Sequence, residues 1–478
     1  MTPYRLIVPA LAASMLLSSV AAPAASDDAG ERRFRETYRE LIETDTTLSN
    51  GSCTLAAERM AARLHAAGFA PADARVIVPD AFPKQGNLVA RLAGSEPRLP
   101  AVLLLAHIDV VEARRADWQR DPFKLVEENG FFYARGAVDD KAMAAAFVDA
   151  LVRYREEGFR PRRTIKLALT CGEETDATFN GVSYLLAREP DTLRAGWAIN
   201  EGGRGQLDEA GKPVSFGVQT GEKIYQDFSL ATTAPGGHSA RPTDDNAIAR
   251  LAGAMARVAA MRFPIMLVPA SRGFFARSAP LHPQPLRADM AAIGGGTANA
   301  AAFERVAGTN PLWNAFLRTT CIPTLIEGGH AENAQPQSAR GNVNCRIMPG
   351  ETVDQVRARL VRTIDDPKVT LTLAAPPGPQ PPAPPLSPEI MGPIEQIAGT
   401  MWPGVPVIPA ISSGATDGRF LNAAGIPTYG VSGMFGDPDG NGVHGLDERI
   451  RVKSLLNGRV FLYRLVRGYA KGDRKPAR

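Results

Sequence analysis

The stretch AVLLLAHID, residues 101–109, gives the clearest indication of the class of fold. It begins with six apolar residues, and two side chains that can bind a metal ion, His107 and Asp109, follow. A short continuous apolar run is typical of a strand that is buried on both faces, as in a parallel sheet covered by helices. In such sheets, functional sites form where the strands end. The stretch therefore predicts a buried parallel strand with polar site residues at its carboxyl end.

Two further stretches repeat this arrangement. Residues 164–170 are rich in strand-forming residues and precede Glu173 and Glu174. The apolar residues 197–199 precede Glu201. Because parallel strands end at the same edge of their sheet, we expect these three glutamates to lie near one another.

Helix-like segments alternate with the strands. Apolar spacing predicts helices over residues 31–45, 55–67 and 142–154. Strands that alternate with helices require crossover connections. We therefore expect an α/β fold in which a mostly parallel sheet is covered by helices.

The central part of the chain has a different order of elements, which indicates a smaller inserted α+β unit of ferredoxin-like type. Residues 263–320 are rich in Gly, Pro and Ala and are assigned to no element. The Pro-dense stretch 376–388 is expected to form an extended connector. The elements predicted in this unit are strands at 226–232, near Ile322, near Val343 and at 369–373, and helices at 246–261 and 353–364.

The N-terminus is typical of a secretory signal peptide. Arg5 precedes an apolar stretch at 6–20, and small residues follow through Ala25. A membrane-spanning helix needs about 20 apolar residues, so cleavage is favoured over the alternative of a retained anchor. The mature chain is therefore expected in the periplasm of a Gram-negative host, or secreted.

The chain has four cysteines, and none has the spacing of a zinc finger. Disulfides persist in exported proteins. Cys321 and Cys345 fall in neighbouring strand-like segments and are the predicted pair. Cys171 lies in an apolar strand and is interpreted as a buried thiol.

Length and charge set wide limits on the class of protein. A chain of 478 residues exceeds one ordinary core, so at least two domains are expected. The formal net charge is +4, and no basic stripe indicates a nucleic-acid partner.

The polar residues at the predicted sheet edge suit a pair of metal ions. Imidazole and carboxylate ligands suit zinc, and several carboxylates around few histidines suit two ions with one bridging carboxylate. Asp139 and Asp140, before a helix, and His444, in a Gly-rich loop, complete the candidate set. Each motif alone is weak, because acidic pairs after strands are usually solvated and a lone His-x-Asp is more often structural. Their joint occurrence indicates a metal site.

The chain resembles the co-catalytic zinc peptidase family that contains glutamate carboxypeptidase, succinyl-diaminopimelate desuccinylase, acetylornithine deacetylase, aminoacylase and carboxypeptidase S. It looks most similar to carboxypeptidase S, through the segment NEGG. The matching segments run in family order: AHIDVV (106–111), ARGAVDDK (134–141), GEE (172–174), NEGG (200–203), PGGHSARP (235–242), NCRIMPG (344–350), SGATDGRF (413–420) and VHG (443–445).

The resemblance implies a ligand set for two zinc ions, for which Co²⁺ or Mn²⁺ are potential substitutes. His107, Asp139 and Glu201 would bind one ion, and Asp139, Glu174 and His444 the other. Asp139 is assigned as the bridge because the family's bridging residue stands two positions before a lysine, here Lys141.

The resemblance also implies catalytic roles. Asp109 would orient the imidazole of His107. Glu173 would be the general base that takes a proton from the metal-bound water and passes it to the leaving amine. His238 would stabilise the oxyanion, in the family often from the second subunit of a dimer. The structural alternative for His238 is a loop histidine packed against prolines.

Substrate contacts are implied in the inserted unit and in one late loop. Asn333 and Arg346 resemble the family's grip on the substrate carboxylate, for which arginine offers a planar fork. An ordinary surface charge on a strand is the alternative for Arg346. Gly414 and Thr416 are expected to line the same pocket.

These inferences predict a signal peptide (1–25), a catalytic zinc domain in two parts (26–221 and 377–478) and an inserted lid or dimerisation domain (222–376). The expected activity is that of a metallocarboxypeptidase or dipeptidase, a protease that could form a homodimer through the lid. An N-acyl amino acid amidohydrolase uses the same metals and is the alternative. A non-catalytic metal- or peptide-binding protein is disfavoured by Glu173, and phosphoester hydrolysis by the lack of an Arg or Lys cluster beside the ligands.

Overall fold

The computed structural model describes residues 28–175 and 178–471. The predicted signal peptide lies outside these residues. The helices are α1 (Asp28–Ile42), α2 (Cys53–Ala66), α3 (Lys141–Glu156), α4 (Gly181–Arg188), α5 (Pro190–Leu193), α6 (Ala247–Ala260), α7 (Pro269–Ser278), α8 (Leu286–Gly295), α9 (Ala300–Thr309), α10 (Pro311–Leu317), α11 (Val353–Ile364), α12 (Pro388–Met401), α13 (Gly418–Ala423) and α14 (Val452–Lys471).

The strands belong to one large sheet and several smaller ones. They are β1 (Ala74–Ile77), β2 (Asn87–Leu92), β3 (Val102–His107), β4 (Val126–Glu128), β5 (Phe131–Tyr133), β6 (Ile165–Thr170), β7 (Trp197–Asn200), β8 (Gly205–Leu207), β9 (Pro213–Glu222), β10 (Ile224–Thr233), β11 (Gly237–His238), β12 (Thr320–Gly328), β13 (Ala334–Gln335), β14 (Ser338–Ile347), β15 (Thr370–Leu373), β16 (Val407–Ser412), β17 (Thr428–Gly430), β18 (Phe435–Gly436) and β19 (Arg449–Arg451).

The large sheet has the strand order β1-β2-β6-β3-β7-β17-β9-β8-β18, with β16 beside β9. Its centre is parallel, because β3 pairs in parallel with both β6 and β7, and β7 with β17. Strands β1 and β2 run antiparallel at one end. The predicted α/β class with a mostly parallel sheet is confirmed.

Helices cover both faces of this sheet, which explains the uninterrupted apolar run in β3. Val102, Leu104 and Ala106 belong to the core that includes α1, α2, α3 and α14. Leu103 and Leu105 belong to the opposite core, with residues of α4 and α13. Successive side chains of a strand point to opposite faces, so a doubly covered strand needs apolar residues at every position.

The inserted unit contains a four-stranded antiparallel sheet of order β12-β14-β10-β15. Helices α6 and α11 pack on it, and their apolar residues share a core with Phe228 and Val343, which face each other across β10 and β14. A capping box at Thr352 and Gln355 starts α11 at the predicted residue. The predicted smaller α+β unit is confirmed as part of the fold.

The unassigned residues 263–320 form the helices α7 to α10, with a core of their own. That core includes Met348, which follows β14, and Ile411 of β16. These four helices therefore join the small sheet to the edge strand of the large one. Because α7 to α10 are short and interrupted by Pro and Gly, the sequence shows no clear helical periodicity over these residues.

Two disulfides use all four cysteines. Cys321–Cys345 joins β12 to β14, so the predicted pair is confirmed. Cys53–Cys171 joins the start of α2 to the residue that follows β6. The interpretation of Cys171 as a buried thiol is therefore wrong, because α2 covers the strand end at which Cys171 lies.

Among the described residues, none of the helices is long and apolar enough to cross a membrane.

Candidate metal centre

The predicted ligands converge at the carboxyl edge of the large sheet. His107 is the last residue of β3, and Glu201 directly follows β7. Glu174 lies in the loop after β6, and Asp139 stands two residues before α3. His444 lies in the loop between β18 and β19. Parallel strands bring the first three together, whereas only the packed fold brings His444 to the same place.

Asp139 lies between the two histidines. Its Oδ1 atom is 3.1 Å from Nε2 of His107, and its Oδ2 atom is 3.3 Å from Nε2 of His444. Glu201 approaches the first imidazole, with 3.8 Å between Oε1 and Nε2 of His107. Glu174 approaches the second, with 2.9 Å between Oε1 and Nε2 of His444.

The described residues form three groups whose ligand atoms lie within 4.8 Å of one another: His107 with Asp139 and Glu201, Asp139 with Glu174 and His444, and His107 with Glu173 and Glu174. The first two groups are the predicted ligand sets, and they share Asp139. Their donor atoms, imidazole nitrogen and carboxylate oxygen, fit zinc and related divalent ions.

Burial and mutual charge dominate the electrostatics of the cluster. Burial by itself would lower the pKa of His107, but the carboxylates of Glu201, Asp109 and Asp139 hold it well above its ordinary value. Burial raises the pKa of Glu201 well above the usual range. Hydrogen bonds from the His444 ring to the carboxylates of Asp139 and Glu174 raise the pKa of His444 to about 10. Several carboxylates close together in a buried site strongly favour a bound cation.

Asp109 contacts His107 and also supports the loop with the two glutamates. Nδ1 of His107 is 3.0 Å from the backbone carbonyl of Asp109 and 3.7 Å from its carboxylate. The carboxylate also accepts hydrogen bonds from the backbone N–H groups of Glu173 (3.3 Å) and Glu174 (3.0 Å). The closer contact with the imidazole is therefore made by the main chain of Asp109, and its side chain fixes the loop.

Glu173 belongs to one of the three groups, together with His107 and Glu174. Burial raises its pKa well above the ordinary glutamate value; His107 opposes this effect, and Asp417 and Glu174 add to it. A carboxyl group with a raised pKa can accept a proton and release it again near neutral pH, as a general base must.

Asp417 supports the same loop and was not singled out in the sequence. Its carboxylate accepts hydrogen bonds from the side chains of Asn180 (2.6 Å) and Thr170 (3.1 Å). Asn180 also donates to the carbonyl of Gly172, so the loop is fixed from a segment far away in the chain. The position of Asp417 in the segment SGATDGRF was the only available signal.

Glu448 is a second support that sequence reasoning missed. It is fully buried and accepts hydrogen bonds from the backbone N–H groups of Gly136, Val138 and Asp139, and from the side chain of Arg135. It therefore fixes the turn that presents Asp139. Nothing local in the sequence distinguishes this glutamate from a solvated one.

The predicted oxyanion residue His238 lies beside the predicted substrate residue Asn333. His238 and Asn333 are exposed and adjacent, because β11 pairs with β13 through His238 and Ala334, and the carbonyl of Asn333 accepts from Ser239. Within the described residues, the only hydrogen bond of the His238 ring is one that Nδ1 accepts from the N–H group of Ala240. The structure thus groups these two residues with each other and does not join them to the metal cluster.

Arg346 links the small sheet to the loop that contains Gly414 and Thr416. Its guanidinium donates to the carbonyl of Ser413, beside Gly414, and lies 4.6 Å from the ring centre of Tyr225. Arg346 is therefore not an ordinary surface charge.

Thr416 is buried, and its hydroxyl donates to Glu222 and accepts from Asn200 and Gly418. These bonds fix the loop that contains Gly414 and Thr416. The sequence did not reveal them, because Glu222 and Asn200 come from distant strands. A contact between Thr416 and a substrate stays a prediction.

Comparisons with known proteins show the family to which the chain is similar. The profile of peptidase family M20/M25/M40 matches residues 103–468. A mouse protein, N-fatty-acyl-amino acid synthase/hydrolase PM20D1, is 28% identical over 398 residues, covering 78% of this chain and 75% of that protein. A probable carboxypeptidase S-like 2 of Dictyostelium discoideum is 25% identical over 401 residues, covering 80% and 75%.

A solved structure has the same fold. It is the M20 family metallo-carboxypeptidase Sso-CP2 from Sulfolobus solfataricus, with a TM-score of 0.64, 18% identity and coverage of 91% of this chain and 99% of that one. The fold, the site and these relatives together define a hydrolytic enzyme of the metallopeptidase and amidohydrolase class. The chain belongs to peptidase family M20/M25/M40, so the resemblance found in the sequence is confirmed.

Proposed function

We propose that this protein is a two-zinc hydrolase that cleaves the amide bond of a peptide as a carboxypeptidase or dipeptidase. The observation that carries the proposal is the position of Asp139, whose two carboxylate oxygens face different histidines, His107 and His444. One carboxylate placed between two imidazoles suits a bridging ligand better than two separate sites.

His107 and Glu201 would hold one ion beside Asp139, and Glu174 and His444 the other. Bound metal ions of this kind polarise a carbonyl and acidify water. Glu173, whose pKa is raised mainly by burial, would take the proton of the attacking water and deliver it to the leaving amine.

A second candidate substrate class is N-acyl amino acids. It is supported by the mouse relative, whose name specifies N-fatty-acyl amino acids, at 28% identity. Both classes present an amide whose leaving group is an amino acid, so the same proton transfer serves both.

The deciding experiment is a substrate panel assayed with metal-free protein and with protein reloaded with Zn²⁺, Co²⁺ or Mn²⁺. We expect no turnover after chelation and recovery when about two equivalents of metal per chain are restored. Dipeptides and N-acyl amino acids of matched C-terminal residue separate the two classes. A metal-loaded protein that cleaves neither class would contradict the proposed function.

We also propose that the mature chain is exported to the periplasm or secreted and forms a homodimer through the small sheet. The leader-like residues at the N-terminus support export. The edge strand β12 supports dimerisation, because Ile322 (59%), Leu325 (67%) and Ile326 (56%) are largely exposed there.

A further inference from the structure

The disulfide Cys53–Cys171 lies at the start of the loop that carries Glu173 and Glu174. Cys171 directly follows β6 and stands two residues before Glu173, and Cys53 is the first residue of α2. Both half-cystines are buried, with 2% and 4% of their surface exposed. We propose that this disulfide is a positioning element of the catalytic loop, an inference that rests on the proposed function.

The segment between α1 and α2, residues 43–52, supports the other parts of the metal centre. The carbonyl of Thr44 accepts from Nζ of Lys141, two residues after Asp139 (2.8 Å). The carbonyl of Thr46 accepts from the N–H group of Val110, beside Asp109 (3.4 Å). The segment thus contacts the β3 end and the α3 start by hydrogen bonds.

The disulfide joins the third part of the centre to the same support. Hydrogen bonds fix Cys171 from other sides: its N–H group donates to Asn87 (3.0 Å), and its carbonyl accepts from Gly181 (2.8 Å). Neither bond reaches the segment 43–52. Cys53 directly follows that segment. Its disulfide is therefore the covalent link that keeps the loop with Glu173 at a constant distance from the segment 43–52.

A small cavity gives the loop room to move if this tie is lost. It measures about 20 Å³ and lies between the disulfide, Asp109 and Thr175, which follows Glu174. Protein interiors are close-packed, so a displaced backbone shifts toward the available space. A shift of about 1 Å in a catalytic group can lower turnover by about 10²-fold.

The second disulfide provides a matched control. Cys321 and Cys345 are directly opposite each other in the paired strands β12 and β14, so the ladder already sets their spacing. The variants to compare are therefore Cys53→Ala with Cys171→Ala, and Cys321→Ala with Cys345→Ala. Each removes one disulfide without leaving a buried thiol.

The experiment measures kcat, KM, metal content and hydrogen–deuterium exchange of the peptide containing Glu173 and Glu174, at a temperature where all proteins are folded. We expect removal of Cys53–Cys171 to lower kcat by about 10- to 100-fold with little change in KM. Exchange at the two glutamate amides should accelerate, because their bonds to Asp109 open more often. Removal of Cys321–Cys345 should change neither kcat nor the exchange rate of the two glutamate amides.

Unchanged kcat and exchange in the folded variant without Cys53–Cys171 would overturn the inference. If the alanine variant does not fold, Cys53→Ala with Cys171→Val refills the volume of the sulfur atoms and repeats the test. Failure of both to fold would assign the disulfide to the fold rather than to the loop and also overturn the inference. A wild-type protein that is metal-loaded but inactive would instead contradict the proposed function, and the exchange data would still decide the role of the disulfide.

Discussion

Two adjacent glutamates, Glu173 and Glu174, have different surroundings at the carboxyl end of β6. Glu174 lies 2.9 Å from His444, within one candidate ligand group. Glu173 belongs only to the group with His107 and Glu174, and its pKa is raised mainly by burial. The backbone bonds that both make to Asp109 hold the two side chains in a constant relation. This arrangement supports separate roles in proton transfer and metal binding.

Replacing Glu173 by Gln or Ala tests this separation. We expect kcat to fall by about 10²- to 10⁴-fold, because a general base contributes about that much, while the metal content stays at the wild-type level. Glu174→Gln is the matched comparison and should lose metal as well as activity. Metal analysis beside steady-state kinetics checks both, and loss of metal in the Glu173 variants would refute the assignment.

Glu222 gives a prediction about pH and stability. It is buried beside Thr416, and burial raises its pKa to about 7. Between about pH 4.5 and 7 the folded chain therefore retains a proton that the unfolded chain releases, so the contribution of Glu222 to stability decreases as the pH rises through this range.

Relative to Glu222→Gln, the metal-free wild type should lose up to about 3 kcal/mol of unfolding free energy between pH 4 and pH 8. Urea denaturation in the presence of a chelator at several pH values measures this difference. Glu209→Gln, at an exposed turn, serves as the control. A difference between wild type and Glu222→Gln that does not vary with pH would rule out the raised pKa.

At the scale of elements, α7 packs closely on the edge strand β16. A Cβ atom at Gly273 would lie 2.6 Å from Cγ of Pro409, and Arg277 donates to the carbonyl of Val407. The helix thereby covers an edge strand that would otherwise expose unpaired backbone groups. The glycine is required by close approach rather than by backbone conformation.

Gly273→Ala should therefore lower the unfolding free energy by about 1–2 kcal/mol, since the rigid proline ring cannot move aside easily. The control is Gly253→Ala in α6, where the nearest atom to a new Cβ is the flexible end of Arg257 at 3.5 Å. That substitution should raise stability by about 0.5–1 kcal/mol, from helix propensity alone. The denaturation midpoints of both variants measure these changes in stability. Equal changes for Gly273→Ala and Gly253→Ala would show that α7 does not pack on β16 as described.

At the scale of the whole molecule, the exposed positions of His238 and Asn333 fit a site completed by a second chain. The edge strand β12 presents Leu325 and Ile326 to solvent, and an unpaired strand edge is a ready surface for pairing. Leu325→Lys with Ile326→Glu should yield monomers, because two buried charges would oppose association, and the net charge is unchanged.

Light scattering measures the molar mass of the variant and of the wild type. The control is Leu55→Glu with Val78→Lys, at exposed apolar positions outside the small sheet, and it should leave the molar mass unchanged. If His238 acts in the partner's site, kcat should fall together with the molar mass. A wild-type protein that is monomeric at all concentrations would exclude the proposed dimer.

Much of the architecture was predictable because it depends on local patterns. The apolar run before His107 predicted β3 to within one residue at each end, and the periodicity over 353–364 predicted α11. Strand ends carrying ligand chemistry predicted which residues meet. The helices of residues 263–320 were not predictable, since they are short and most of their burial comes from one another and from β16.

The class of fold and the set of candidate ligands follow from the sequence alone, because strand periodicity and the chemistry of His, Asp and Glu are properties of short segments. The choice among these candidates came from the resemblance to a known family. The folded chain was needed to reveal the disulfide Cys53–Cys171, the partners of Thr416 and the supporting carboxylates of Asp417 and Glu448. Each of these joins residues that are far apart in the chain, and which distant groups meet is determined by how the packed cores bring the elements together.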